Sequence, residues 1–389
     1  MDSNVKRAVD SIPAYVEAAD LFVVLCPSAQ HIDTHEVCDQ QTWSSRGWCR
    51  VELAAAALGL KPERRLLVIN SGTSIFLMFS AQLLQPPGDG DFAVQSDRVP
   101  LLPVLKQIVD SHLSVVWAQG NKQLAAARLL TAMRPCLLRG LGTRLQQEEV
   151  TIGASDLEAF RQQFRFSLGR TDPTGVGPWL CAAVAGDIQI LRQLATAKAS
   201  VNERVTSSGC RPDLYLFKGT TPLLAAAFYN GDAAVLRCLL ELRADTRLAD
   251  SCGNTALHLA SMAGHLESVD LLLDRSMDIE TMCGNGERPL FLAAGNGQPK
   301  MIELLIHRRA MVDARLCTGF TPLAVAAFYG FSSCCRLLLE HRAEVNHVTR
   351  PWGPAGWAKV ASLRLASPLL PDSGPLRSLA MGDGVTALF

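Results

Sequence analysis

The sequence predicts an α/β N-terminal module followed by an all-α repeat solenoid with β-hairpin fingers. Gly231, Gly264, Gly297 and Gly330 recur every 33 residues, each followed by a leucine-rich run. A beat of that length marks stacked units that bury their apolar faces only against neighbours. Upstream, two short apolar runs at residues 21–26 and 66–69 flank a helical pattern, the spacing of a βαβ unit and so of an α/β layer.

Each element of the repeat has a local reason. The segments Gly219-Thr-Thr-Pro-Leu, Gly253-Asn-Thr-Ala-Leu-His, Gly286-Glu-Arg-Pro-Leu and Gly319-Phe-Thr-Pro-Leu open on a turn glycine. Thr221, Thr255 and Thr321 then offer a side-chain oxygen to cap a helix. Pro222, Pro289 and Pro322 suit the first helical turn, where a missing N–H costs nothing. Small residues such as Ala225, Ala226 and Ala227 allow close helix pairing, and the 33-residue glycines close the first helix in the left-handed conformation. The pattern reaches back to Gly175, Pro178, Trp179 and Gly186, with glycine replacing the capping threonine, so five repeats are expected over residues 175–350. Gly175 and Gly219 lie 44 positions apart. About 11 extra residues, near 207–217, must therefore loop out of the first finger, since a repeat of this class takes about 33.

These turn, cap and glycine segments resemble ankyrin repeats. The resemblance implies a rigid, non-catalytic surface whose partners are other proteins, with no cofactor. Where the ankyrin pattern has glycine after the second helix, this chain has Arg243, Ser276, Arg309 and Arg342. A non-glycine residue there costs about 1 kcal/mol, so the helices are expected to run on slightly. With Arg275 and Arg308 the arginines read as a basic edge for an acidic partner, or as a solvated edge that suits helix C-termini. Phe228, Tyr229, Phe328 and Tyr329 sit late in first helices, which line the concave face of ankyrin arrays. They are candidate partner-binding residues, or rings that pack between repeats.

Residues 1–115 have a different texture. A helix is expected over 44–58, starting at a serine cap and ending at Gly59. The segment Ser44-Ser-Arg-Gly-Trp48-Cys49-Arg-Val-Glu52-Leu53 follows an apolar strand ending in Cys26-Pro-Ser. It resembles the later half of a Toll/interleukin-1 receptor (TIR) domain over residues 5–70. In the enzymatic branch of that family this glutamate carries NAD-glycohydrolase activity. The resemblance thus places a catalytic role on Glu52, with NAD as its substrate and Trp48 and Cys49 packed beneath. A TIR domain begins with strands upstream of anything present here, so the resemblance implies a module that is either divergent or incomplete. The same residues also read as core, with Glu52 paired to Arg46 or Arg50. His31, Asp33, His35, Cys38 and Cys49 are of the right type for zinc, but without a Cys-x-x-Cys pair no metal is expected.

Residues 74–170 read as mainly helical, with helix periodicity at 98–112 and 123–133. The span 116–174 is a helical connector and linker. In it Ser155 and Glu158 form a capping box for a helix that would cover the exposed end of the first repeat. Residues 351–389 read as a degenerate cap and flexible tail. Across 389 residues, 37 Lys and Arg balance 37 Asp and Glu, so no global field favours nucleic acid or an acidic membrane. Twelve scattered cysteines and the lack of an apolar leader point to a reducing, cytoplasmic setting. No run reaches the roughly 18 apolar residues of a membrane span. The leading expectation is a cytoplasmic protein-binding scaffold, and the alternative is a TIR-like NAD nucleosidase.

Overall fold

The computed structural model describes residues 21–25, 29–30, 37–38, 40–58, 65–71, 74–77, 85–92, 95–142, 156–166, 173–196, 200–316 and 319–345. The chain divides into two compact units, one of residues 1–23, 44–66 and 80–251, the other of 24–43, 67–79 and 252–389.

Both apolar runs form strands, β1 (Leu21–Leu25) and β4 (Arg65–Ser71), and β5 (Ser74–Leu77) joins them in a sheet of order β1-β4-β5. β5 lies where helix was expected. Its Ile75-Phe76-Leu77 run pairs antiparallel with β4, Leu67 opposite Leu77 and Ile69 opposite Ile75. β-branched and aromatic residues favour that pairing over a helix. β2 (Ala29–Gln30) and β3 (Val37–Cys38) form a separate antiparallel pair.

The helix expected over 44–58 is two helices, α1 (Gln40–Ser45) and α2 (Gly47–Ala57). Arg46 between them is extended, at φ −73° and ψ 132°. The cause is a strand-like contact: Gly47 N donates to Asp91 O at 2.9 Å, and Asp91 N donates to Ser45 O at 2.8 Å. A Cβ on Gly47 would lie 2.0 Å from the Phe92 ring, so only glycine admits this approach. Arg98 locks the arrangement, donating to the carbonyls of Gly88, Gly90 and Gly140 and standing 4.7 Å over Phe92.

Two long helices follow, α3 (Arg98–Ala118) and α4 (Leu124–Leu138). By length and composition the stretch Gln95–Ala118 is apolar enough to cross a membrane. One face of it is buried in the first unit, with Leu101, Leu105 and Val109 inward, while Val99 and Val115 are exposed. Arg134 pairs with Asp110 at 2.7 Å, and the Trp117 indole donates to Thr131 Oγ1 at 3.1 Å, holding α3 to α4. Helix α5 (Leu157–Gln163) is capped by Asp156, whose carboxylate accepts from Glu158 N at 3.3 Å. The cap therefore falls on Asp156 instead of Ser155, which lies outside the described residues.

The first unit holds repeats one and two: α6 (Pro178–Ala185), α7 (Ile188–Thr196), α8 (Pro222–Ala225, continued by a π turn at Ala226–Asn230) and α9 (Ala233–Glu241). The second holds repeats three to five: α10 (Ala256–Ala263), α11 (Leu266–Asp274), α12 (Pro289–Gly295), α13 (Pro299–His307), α14 (Pro322–Phe328) and α15 (Ser332–Glu340). Thr221 and Thr321 accept from Leu224 N and Ala324 N at 3.3 and 3.2 Å, as caps should. Thr255 shares a capping box with buried His258, whose Nε2 lies 2.9 Å from Thr281 O. The fingers are hydrogen-bonded turns: among described residues 173–345 no strand forms, and Arg211 and Leu216 make an isolated bridge. Single bonds such as Ser251 N to Lys218 O and Gly284 N to Cys252 O tie neighbouring fingers, too few to build a ladder.

Glycines at the 33-residue beat adopt positive φ as expected, from 66° at Gly297 to 84° at Gly264. The second helices do not run on. Arg243, Ser276, Arg309 and Arg342 take φ of 66°, 60°, 70° and 64°. Each sits in a Schellman closure: Arg309 N donates to Ile306 O and Ala310 N to Leu305 O, both at 2.9 Å. Those bonds satisfy carbonyls the helix end leaves open, and they outweigh the strain. Arg309→Gly and Arg342→Gly are each expected to stabilise the chain by about 0.5–1 kcal/mol, the left-handed strain less glycine's added freedom when unfolded. Urea midpoints that stay put or fall would show the strain to be absent.

Repeat one lacks a capping threonine, and Glu203 replaces it. The carboxylate accepts from Leu180 N at 2.8 Å, and a Cβ on Gly177 would lie 2.4 Å from its Oε2. Burial pushes the Glu203 carboxyl up to about 7, against the pull of the Leu180 and Trp179 amides and Arg128. A folded pKa above the unfolded one gives stability that is complete below the unfolded value and lost as pH rises through about 7. Glu203→Gln is expected to flatten this decline between about pH 5 and about pH 7.5 in urea unfolding. Parallel profiles for variant and wild type would refute the assignment.

Candidate functional site

Phe228 and Tyr229 do not offer themselves to a partner. They are 5% and 7% exposed, because the inserted loop of repeat one folds over them. Its base is closed by Val205 N to Thr220 O at 3.0 Å and Gly219 N to Val205 O at 2.8 Å. Its tip is a tight turn, Pro212–Leu214, pinned by Arg211 N to Leu216 O at 2.6 Å and by the Arg211–Asp213 ion pair at 2.6 Å. The Tyr215 ring stacks on Phe228 with centroids 4.7 Å apart and planes 20° apart, and Phe217 meets Tyr215 edge-on at 4.9 Å. The Tyr229 hydroxyl donates to Leu214 O at 2.6 Å. Burial keeps that phenol well above its ordinary pKa, so it remains a donor.

The helix beneath carries one residue too many. Thr221 to Gly231 spans ten positions, whereas Thr255 to Gly264 and Thr321 to Gly330 span nine. The surplus is absorbed as the π turn at Ala226–Asn230. It buries Asn230 at 4% exposure, where its Nδ2 donates to Val184 O at 3.0 Å and its Oδ1 accepts from Asp232 N at 3.0 Å. Its own carbonyl accepts from Arg139 at 3.0 Å, so this one residue joins α4, α6 and α8. The 34-position step from Gly219 to Gly253, against 33 thereafter, is the sequence signal that marks it.

The corresponding pair in repeat five differs. Tyr329 is buried at 2%, in contact with Phe331, while Phe328 is half-exposed. One ring of that pair packs and the other is open. Arg243, Arg309 and Arg342 are all exposed. Arg308 has another task, pairing with Asp274 at 2.9 Å and with Asp270, so it ties repeat four to repeat three.

Glu52 is half-buried on α2, and burial raises its carboxyl pKa. Arg50, offered as its ion partner, instead donates to Ser44 O at 2.9 Å and Pro86 O at 3.3 Å. Arg46 is exposed at the break between α1 and α2, and the Trp48 indole donates to Asp97 at 3.2 Å. Burial pushes the thiols of Cys49, Cys136 and Cys283 up to about 11, which removes their thiolates at neutral pH. Among the described residues no group of three metal-ligating side chains assembles, and His31, Asp33 and His35 lie outside them.

Comparison with known proteins names the class. The family model for ankyrin repeats (3 copies) matches residues 179–283 and 277–349. Those residues are ankyrin repeats. The transient receptor potential cation channel subfamily V member 5 of Homo sapiens is 36% identical over 95 residues. That match covers 21% of this chain and 13% of the channel.

Asn230→Ala is expected to destabilise the chain by about 1–3 kcal/mol, the cost of losing the buried amide's bonds to Val184 O and Asp232 N. Unfolding in urea measures it, and a loss of only a few tenths would show the π turn to be held by other contacts.

Proposed function

We propose that the chain is a non-catalytic scaffold that binds other proteins along the turn-and-finger edge of the ankyrin repeats in its second unit. One observation carries this reading: Arg309 and Arg342 are exposed and held at positive φ, where glycine would relieve the strain. Backbone strain retained at exposed positions fits a selected surface better than a solvated charge does. In the second unit apolar side chains stand close behind. Met311, two residues past Arg309, is 57% exposed, and Val345, three past Arg342, is 50% exposed. Guanidinium groups beside exposed apolar side chains suit a partner segment that interleaves carboxylates with apolar residues. Phe328, on the helix end that lines the concave face of ankyrin arrays, supplies an aromatic anchor. The reading invokes no nucleic acid, membrane, metal or cofactor. It suits a reducing cytoplasm, since the described cysteines are free thiols. The channel's activity is not carried over, because so little of the channel is matched.

The rival reading, a NAD nucleosidase centred on Glu52, draws on the Trp48-to-Leu53 segment and on the half-burial of that carboxyl. Two experiments decide. A folded Arg309→Ser/Arg342→Ser/Met311→Ser variant is expected to lose about ten-fold or more in affinity for a cross-linked protein partner, roughly 1.4 kcal/mol. Equal binding by wild type and variant removes this edge as the surface. Nicotinamide release from NAD by the folded chain, abolished in Glu52→Ala, would make the protein an enzyme.

A further inference from the structure

The insert of repeat one is more than a long connection. A loop that merely bridges two elements runs over the surface with polar residues facing water. This one turns Leu214 and Leu216 inward, to 9% and 0% exposure, and stacks Tyr215 on Phe228, with Phe217 edge-on behind Tyr215. It makes the contacts a bound peptide would make: one aromatic ring stacked on the helix, a second at i+2 bracing the first edge-on, and a main-chain carbonyl that accepts from the Tyr229 hydroxyl. The helix it covers carries the π turn, a distortion enriched at functional sites.

From this we infer that the π-bulged first helix of repeat two is a docking groove for linear peptide segments of the aromatic-x-aromatic type, occupied at rest by the chain's own residues 211–217. One feature suits the insert to release: Tyr215 is held at φ 61°, a left-handed strain that opening relieves. Release must break the bonds of Thr220 N and Thr220 Oγ1 to Phe217 O, at 3.2 and 2.8 Å, and that of the Arg211 guanidinium to Gln123. Repeat five has no insert, and there Phe328 stands half-exposed at the equivalent place. The occupant fixes the partner's chemistry: an apolar, aromatic-rich segment preceded by a turn, as in Pro212-Asp-Leu-Tyr-Leu-Phe217. A tethered occupant stands at an effective concentration of about millimolar, so an external segment competes only when it binds more tightly or arrives multiply linked. The inference rests on the protein-binding reading of the repeats but uses a different surface. Peptide binding and the arginine variants therefore fail independently.

The probe is a fluorescein-labelled peptide of residues 211–218, titrated by polarisation. The target is the full chain with residues 211–217 replaced by Gly-Ser-Gly. Saturable binding is expected, at least about ten-fold tighter than to the intact chain. A probe with both aromatic residues changed to serine should lose binding by a similar factor. A second target, full-length Tyr215→Ser/Phe217→Ser, keeps the loop while removing the stack, and should likewise bind the probe better than wild type. Equal binding by intact and opened chains, or none by either opened chain with its circular dichroism unchanged, overturns the inference and leaves the insert a structural flap.

Discussion

The first helix of repeat one has no polar face, and the first unit is organised around covering it. Trp179, Leu180, Cys181, Ala182, Ala183 and Val184 are all buried, each at 2% exposure or less. A helix that is apolar all round needs neighbours on every side. Repeat two supplies one side through α8, and α4 packs on the other, in the place an inner helix of a preceding repeat would take. Its Ala125-Ala126-Ala127 run echoes Ala225-Ala226-Ala227, small residues admitting close approach in both cases. The end expected to be covered by the helix after Ser155 is thus covered chiefly by α4. Helix α5 flanks α7, with Leu157 N donating to Gln193 at 3.1 Å.

That cover has to be held in place, and buried polar groups do so. Arg128 is 3% exposed and donates to the carbonyls of Phe164, Val176 and Arg165, fixing α4 against α5 and the entry to α6. Its guanidinium also lies 4.2 Å over the Phe166 ring. Asn230 does the same from repeat two, and Glu203 from the first finger. Each is a polar residue in an apolar setting that is tolerated because its hydrogen bonds are met. In the second unit the equivalent work is more regular, done by Thr255, His258 and Thr321 at the positions their repeats assign them.

The left-handed arginines and the strained Tyr215 sit at exposed or half-exposed turns, the arginines in Schellman closures and Tyr215 stacked on Phe228. By contrast the buried thiols and the ion-paired Arg308 are accounted for by packing alone. The raised carboxyl of Glu52 has an ordinary cause in its burial.

Helix caps and left-handed glycines were legible because they follow from residues within one turn of each other. A threonine before a proline caps a helix wherever it stands, and a glycine every 33 positions closes one. The two apolar strands were legible for the same reason. The break at Arg46, the substitution of Glu203 for a threonine, and the covering of Phe228 and Tyr229 were not. They depend on residues far apart in sequence meeting in space: Gly47 with Asp91, Leu180 with Glu203, Tyr229 with Leu214. Even the extra residue behind the π turn was countable from the sequence. Only the folded chain decided that the surplus would carry Asn230 inward to Val184, because whether a side chain finds a partner or water is settled by packing and not by its neighbours along the chain.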